Sequence, residues 1–204
     1  MLLKALSSMT DRSLKQAGFL REMGTMTYSR TLRAAEQRIT FVMDCFPKYQ
    51  RGAEAHIHPM LQLTMPQLSE RAIALVNGDR MLLAGAPEFI VNEPIEFTAP
   101  KVNHQRWFAT GEEEFAVACG SICIFISQWV LPFLSEVSTP EDLIKVYETN
   151  DSRMMRQKHW YIFVAAAYLV LGRKDQAQRL VQQQFGSPGL KKRYAALFAS
   201  LAIE

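Results

Sequence analysis

From Phe115 to Ser135 the chain carries no charged residue, and three glutamates, Glu112 to Glu114, stand immediately before that run. A stretch this long and apolar has to leave water, either across a bilayer, which takes about 20 such residues, or through the middle of a protein core. Gly120, Ser121, Ser127, Gln128 and Pro132 are scattered through it, and its flanks show no basic asymmetry. We therefore read it as a buried helix of a water-soluble domain, with no membrane contact. The glutamates then sit at the positive end of its dipole. Thr110 with Glu113 has capping-box spacing, so the helix is predicted from about Gly111 to Leu134.

Ahead of that helix the apolar period is two. Met26, Tyr28 and Leu32 alternate with Thr27, Ser29 and Thr31, and Ile39, Phe41, Met43 and Cys45 alternate with Thr40 and Asp44. These are strand patterns. The short polar stretch Arg33 to Gln37 between them predicts an antiparallel hairpin. A third strand runs through Ile57, Leu61 and Leu63, with His56, His58 and Gln62 on its other face, and Pro59 assigns it to an edge or a bulge. Met65 to Leu83 is ambiguous. Glu88 to Val91, Ile95 to Thr98 and Gln105 to Ala109 are short, Pro-bounded or aromatic pieces that suit further strands or irregular cover.

Both ends of the chain read as helical. Leu3, Leu6, Met9 or Thr10, and Leu14 recur at helical spacing over Leu2 to Ala17, with Gly18 as the stop. After the long helix, Ser138 with Glu141 repeats the capping spacing and Pro140 suits a first turn. A further helix is predicted from Asp151 or Ser152 to Leu171. Asp175 to Phe185 and Leu190 to Ala202 follow, separated by Gly186, Ser187, Pro188 and Gly189.

The predicted class is α+β: an N-terminal helix, an antiparallel sheet, then a C-terminal helical subdomain. Two domains are expected, an α+β domain over 1–148 and a helical one over 149–204. At 204 residues, 49% of them apolar, the chain is long enough to bury a core without metal or disulfide staples. Residues 1–148 hold 14 Lys and Arg against 17 Asp and Glu, whereas 149–204 hold 9 against 3, so the end of the chain is basic. Arg173, Lys174, Arg179, Lys191, Lys192 and Arg193 are assigned to solvated helix surface and not to nucleic acid, since no DNA- or RNA-binding module accompanies them.

Little in the chain names a reaction. There is no GxGxxG and no GxSxG, and Gly78, Gly85 and Gly111 form no phosphate cradle, so neither a dinucleotide nor any other cofactor is expected. Cys45, Cys119 and Cys123 read as buried thiols of a reducing, cytoplasmic compartment, and Met1 to Thr10 lacks the features of a secretory signal. Trp160, Tyr161, Phe163 and Tyr168 read as core. His56 and His58 share one strand face and could share a metal with Asp44, His104 or His159, but two polar residues on a solvated face are the favoured account, and no metal is assigned. The candidate partner contacts are Tyr49, Arg51 and Glu54 in the loop before the third strand, together with His56 and His58.

Gly18-Phe19 after the first helix, Tyr28 in the first strand, Ile39 to Phe46, Ile57 to Leu63, and Leu131-Pro132-Phe133-Leu134 before Ser138-Thr139-Pro140-Glu141-Asp142-Leu143 occur in a recognisable order. Over about residues 1 to 148 it resembles a bacterial domain-of-unknown-function family whose members sit among polymorphic toxin systems and are regarded as immunity proteins. That resemblance implies stoichiometric binding of a cognate toxin, with no catalysis. Near the end, Ala167-Tyr168-Leu169-Val170-Leu171-Gly172 followed by Ala177 is similar to one tetratricopeptide unit, which implies the alternative of a cytoplasmic adaptor. A metal-dependent enzyme is the third class, and oligomeric state is left open.

Overall fold

The computed structural model describes residues 10–203, and the part of the first predicted helix before Thr10 lies outside them. Residues 10–16 form α1, which gives way at Gly18, where a φ of +84° favours a residue without a Cβ. The class is α+β, with a six-stranded antiparallel sheet among the described residues and a helical region after it. The strands are β1 (Leu20–Arg21), β2 (Thr27–Leu32), β3 (Ala35–Cys45), β4 (Ala55–Thr64), β5 (Val91–Pro94) and β6 (Trp107–Ala109), in spatial order β1-β2-β3-β4-β5 with β6 also on β4.

The β2–β3 hairpin forms as its alternation predicts and turns at Arg33, whose φ is +53°. β4 alternates between buried and half-buried residues along its whole length. Ile57, Leu61 and Leu63 are fully buried, and His56 and His58 lie on the other face. Pro59 does not put β4 at an edge. β6 pairs with Ala55 to Ile57, while Gln62 reaches Asn92 of β5 at 3.3 Å, so the proline, which has no N–H to offer, falls between the two partners on that flank. Of the two readings open for Ile95 to Thr98, a strand or irregular cover, the second holds, as a 3₁₀ turn.

The uncharged run forms one continuous helix, Glu112–Glu136, the one helix among the described residues long and apolar enough to cross a membrane. Phe115, Ile122, Phe125 and Phe133 along it are buried, while Val117 and Ile124 face outward. Trp107 of β6 meets Phe125 edge-on at 5.3 Å and donates its indole N–H to Ser121 Oγ at 3.0 Å, tying sheet to helix. The helix comprises α3 (Glu112–Phe125), a π-helical stretch (Ile126–Val130) and α4 (Leu131–Glu136). Pro132 lacks the N–H for the usual bond one turn back, and the preceding backbone relaxes to the wider π pattern, with Leu131 N–H on the Ile126 carbonyl.

Two helix starts fall one residue later than their spacing suggests. Gly111, in extended backbone, is the N-cap of α3, and Glu114 instead of Glu113 reaches back to the Thr110 N–H and hydroxyl at 2.9 and 2.7 Å. For α5 (Pro140–Glu148) the box is Thr139 with Asp142 and not Ser138 with Glu141. Asp142 N–H donates to Thr139 Oγ1 at 3.2 Å, and Thr139 N–H donates to Asp142 Oδ2 at 2.9 Å. Thr139→Ala is expected to cost about 1 kcal/mol in a denaturant titration, the usual worth of such a cap, whereas Glu141→Ala should leave the midpoint in place.

The helical region also holds α2 (Pro66–Leu75), α6 (Trp160–Val170), α7 (Lys174–Phe185), α8 (Pro188–Arg193) and α9 (Ala195–Leu201). Residues 151–159 are not the helical turns that the sequence suggested. The Asp151 carboxylate accepts from the Arg153 backbone N–H, Nε and Nη2, and Arg156 binds Asn150 Oδ1 and the Asp151 carbonyl, local bonds that compete with a helical ladder. Residues 10–32, 36–62 and 92–136 form one compact unit and 33–35, 63–91 and 137–203 a second. In the second, α6 packs against α2, α5 and α7 and is buried from Ile162 to Tyr168.

Candidate functional site

The five residues singled out in the sequence lie in the first unit, on the loop 46–54 and on the strand that follows it. β3 ends at Cys45, which is exposed and not buried as its alternation suggested, because the strand's burial fades beyond Phe41. The loop closes on itself: Phe46 N–H donates to the Glu54 carbonyl at 2.8 Å, and Gln50 N–H to the Pro47 carbonyl at 3.1 Å. Glu54 N–H continues the β4–β6 pairing by donating to Ala109 at 2.8 Å. Arg51 and Glu54 are exposed.

Tyr49 is 62% exposed and yet tethered. Its hydroxyl donates to Asp44 Oδ2 at 2.9 Å and meets His56 Nδ1 at 2.6 Å, while its ring stands edge-on to the imidazole at 5.6 Å. His56 is stacked between His58, 4.9 Å away, and Phe108, 4.4 Å away. The first neighbour follows from the two-residue period of β4, the second from the β4–β6 register that sets His56 opposite Phe108. Burial, then the neighbouring His58, lowers the His56 pKa below the ordinary imidazole value. The Tyr49 hydrogen bond leads the causes that hold the Asp44 carboxyl below its usual range.

His58 Nε2 lies 3.3 Å from Asp44 Oδ2. That nitrogen is shielded from solvent and has the Asp44 carboxylate as its neighbour. Of the three residues proposed as a further ligand, the fold therefore brings Asp44 to the histidine pair, and one ligand atom from each of Asp44, His56 and His58 lies within 4.8 Å of the others. His104 is engaged elsewhere, with Nε2 at the Ala99 carbonyl and its ring against Phe97. His159 belongs to the second unit, before α6. A cleft of about 150 Å³ opens beside the histidines, walled by Glu96, Arg106 and Trp107. Arg106 and Phe108 were not singled out from the sequence, since only strand pairing brings them here.

The remaining thiols behave as the apolar run implies. Cys119 is buried and its pKa is raised by that burial, then by Cys123, to about 11; Cys123 is raised by burial as well. In native protein a thiol reagent should therefore modify one equivalent quickly, at Cys45, and reach Cys119 only on unfolding. Mass spectrometry of the labelled peptides checks this, and fast labelling of Cys119 would contradict its placement.

Comparison of the chain with protein-family models, with curated proteins and with solved structures finds no match.

Proposed function

We propose that the protein is an immunity protein, which neutralises a cognate bacterial toxin in the cytoplasm by stoichiometric binding through the 46–54 loop, with no turnover of its own. The carrying observation is Phe46. Its backbone has a φ of +52°, a left-handed conformation rare for a bulky residue, and its side chain is nonetheless 73% exposed, at the start of the loop that carries Tyr49. Strain of this kind costs about 1–3 kcal/mol and concentrates where a segment is preorganised for a ligand. Tyr and Arg are also the residue types that anchor interfaces, and here Tyr49 is braced by Asp44 and His56 before any partner arrives.

The family resemblance of residues 1–148 supplies the partner class. An adaptor would need an open helical face, whereas α6, which carries the tetratricopeptide-like junction, is enclosed along most of its length.

Co-expression with the product of the neighbouring reading frame tests the reading. That product alone should arrest growth, this chain should restore it, and Tyr49→Ala should abolish the rescue at equal expression. A harmless neighbour, or full rescue by a chain altered at both Phe46 and Tyr49, would count against it.

A further inference from the structure

We propose that Asp44, His56 and His58 are the ligands of a divalent transition-metal site, with zinc the ion that the geometry fits best. Asp44 is the next-to-last residue of β3 and the histidines come from one face of β4, so three donors converge from two adjacent strands that flank the loop.

The distances suit a tetrahedral first-row ion. A tetrahedron with ligands about 2.0–2.2 Å from its centre has edges of about 3.3–3.6 Å. The Asp44 Oδ2 to His58 Nε2 separation is 3.3 Å, an ion-pair contact whose length matches one such edge. A metal ion on the open side of that edge would satisfy both atoms at once.

The third donor needs little movement, since all three ligand atoms lie within 4.8 Å of one another. Side-chain rotation can close that gap, and the near-parallel stacking of the two imidazoles at 4.9 Å keeps them side by side. Tyr49 provides the outer support that such sites use: a single phenol, bonded to Asp44 Oδ2 at 2.9 Å and to His56 Nδ1 at 2.6 Å, orients one carboxylate and one imidazole together. Two imidazoles favour zinc, copper, nickel or cobalt over calcium or magnesium, which prefer an all-oxygen shell. Three protein ligands leave a fourth position for water or for a donor from a ligand.

This site stands apart from the toxin reading: an ion would pin β3 to β4 whatever the loop binds. The test is a calorimetric titration of chelator-treated full-length protein with zinc chloride, paired with cobalt(II) absorption. One equivalent should bind with a Kd of micromolar or below, and zinc should raise the melting temperature. His58→Gln and Asp44→Asn should each weaken binding at least tenfold, while Arg51→Ala, on the same loop and outside the ligand set, should leave it unchanged. Circular dichroism of each variant establishes that it is folded. No saturable binding, equal binding by both ligand variants, or a cobalt spectrum with the thiolate charge-transfer band of Cys45 would overturn the assignment.

Discussion

Gln37→Leu should destabilise the protein by about 2–4 kcal/mol, although it replaces a polar residue in the core by an apolar one of similar size. Gln37 is fully buried on β3. Its Oε1 accepts from Arg30 Nε at 2.8 Å, and its Nε2 donates to the Leu134 carbonyl at 2.6 Å. That carbonyl belongs to the last turn of α4, where no helical N–H is available to it. Arg30 in turn donates Nη1 to the Ala17 carbonyl at 2.6 Å and lies over the Phe19 ring at 4.5 Å. One amide thus links the ends of two helices to the sheet. Leucine leaves a carbonyl and a guanidinium N–H without partners, and each such orphan costs about 1–3 kcal/mol. Removing Arg30 at the same time should cost less than the two single changes combined, because the amide and the guanidinium fail together. Urea unfolding of the four proteins measures the cycle. A single-variant loss below about 0.5 kcal/mol would mean that these bonds exchange freely with water.

Phe46→Gly should produce effects of opposite sign. Relief of the positive φ stabilises the fold by about 0.5–1 kcal/mol after the entropy cost of glycine, while partner binding weakens at least tenfold because an exposed anchor is gone. Tyr49→Ala should have the larger effect on binding, roughly 30- to 1000-fold in Kd, as for a central interface tyrosine. Its exposure means that thermal stability should barely move. Differential scanning calorimetry beside surface-immobilised binding separates the two readouts. A Phe46→Gly protein that is less stable and still binds fully would make the loop structural and not a contact surface.

Much of the fold was legible because its alternations are clean. The β2–β3 hairpin and the buried and half-buried faces of β4 follow from period, and the helices around Leu143 and Leu180 from capping residues and from the Gly and Pro breaks that bound them. Local competition hid other features. At Gly111 and Thr139 the neighbouring residue took the cap, and at Asp151 an arginine-bound carboxylate displaced a predicted helix start. Within the site, the shared face of His56 and His58 came from the two-residue period. Their neighbours did not, because Phe108 arrives through a pairing more than fifty residues distant in sequence and Tyr49 through loop closure. Cys45 shows the limit of alternation: it keeps the phase of Ile39 and Phe41, but the sheet gives it nothing to pack against.

Titration of the purified toxin's activity with this protein separates occupancy from chemistry. Activity should fall in a straight line and vanish near one equivalent, with intact toxin recovered when the complex is dissociated in denaturant. Complete inactivation by a small fraction of an equivalent, or covalently altered toxin after separation, would contradict a protein that works by binding alone.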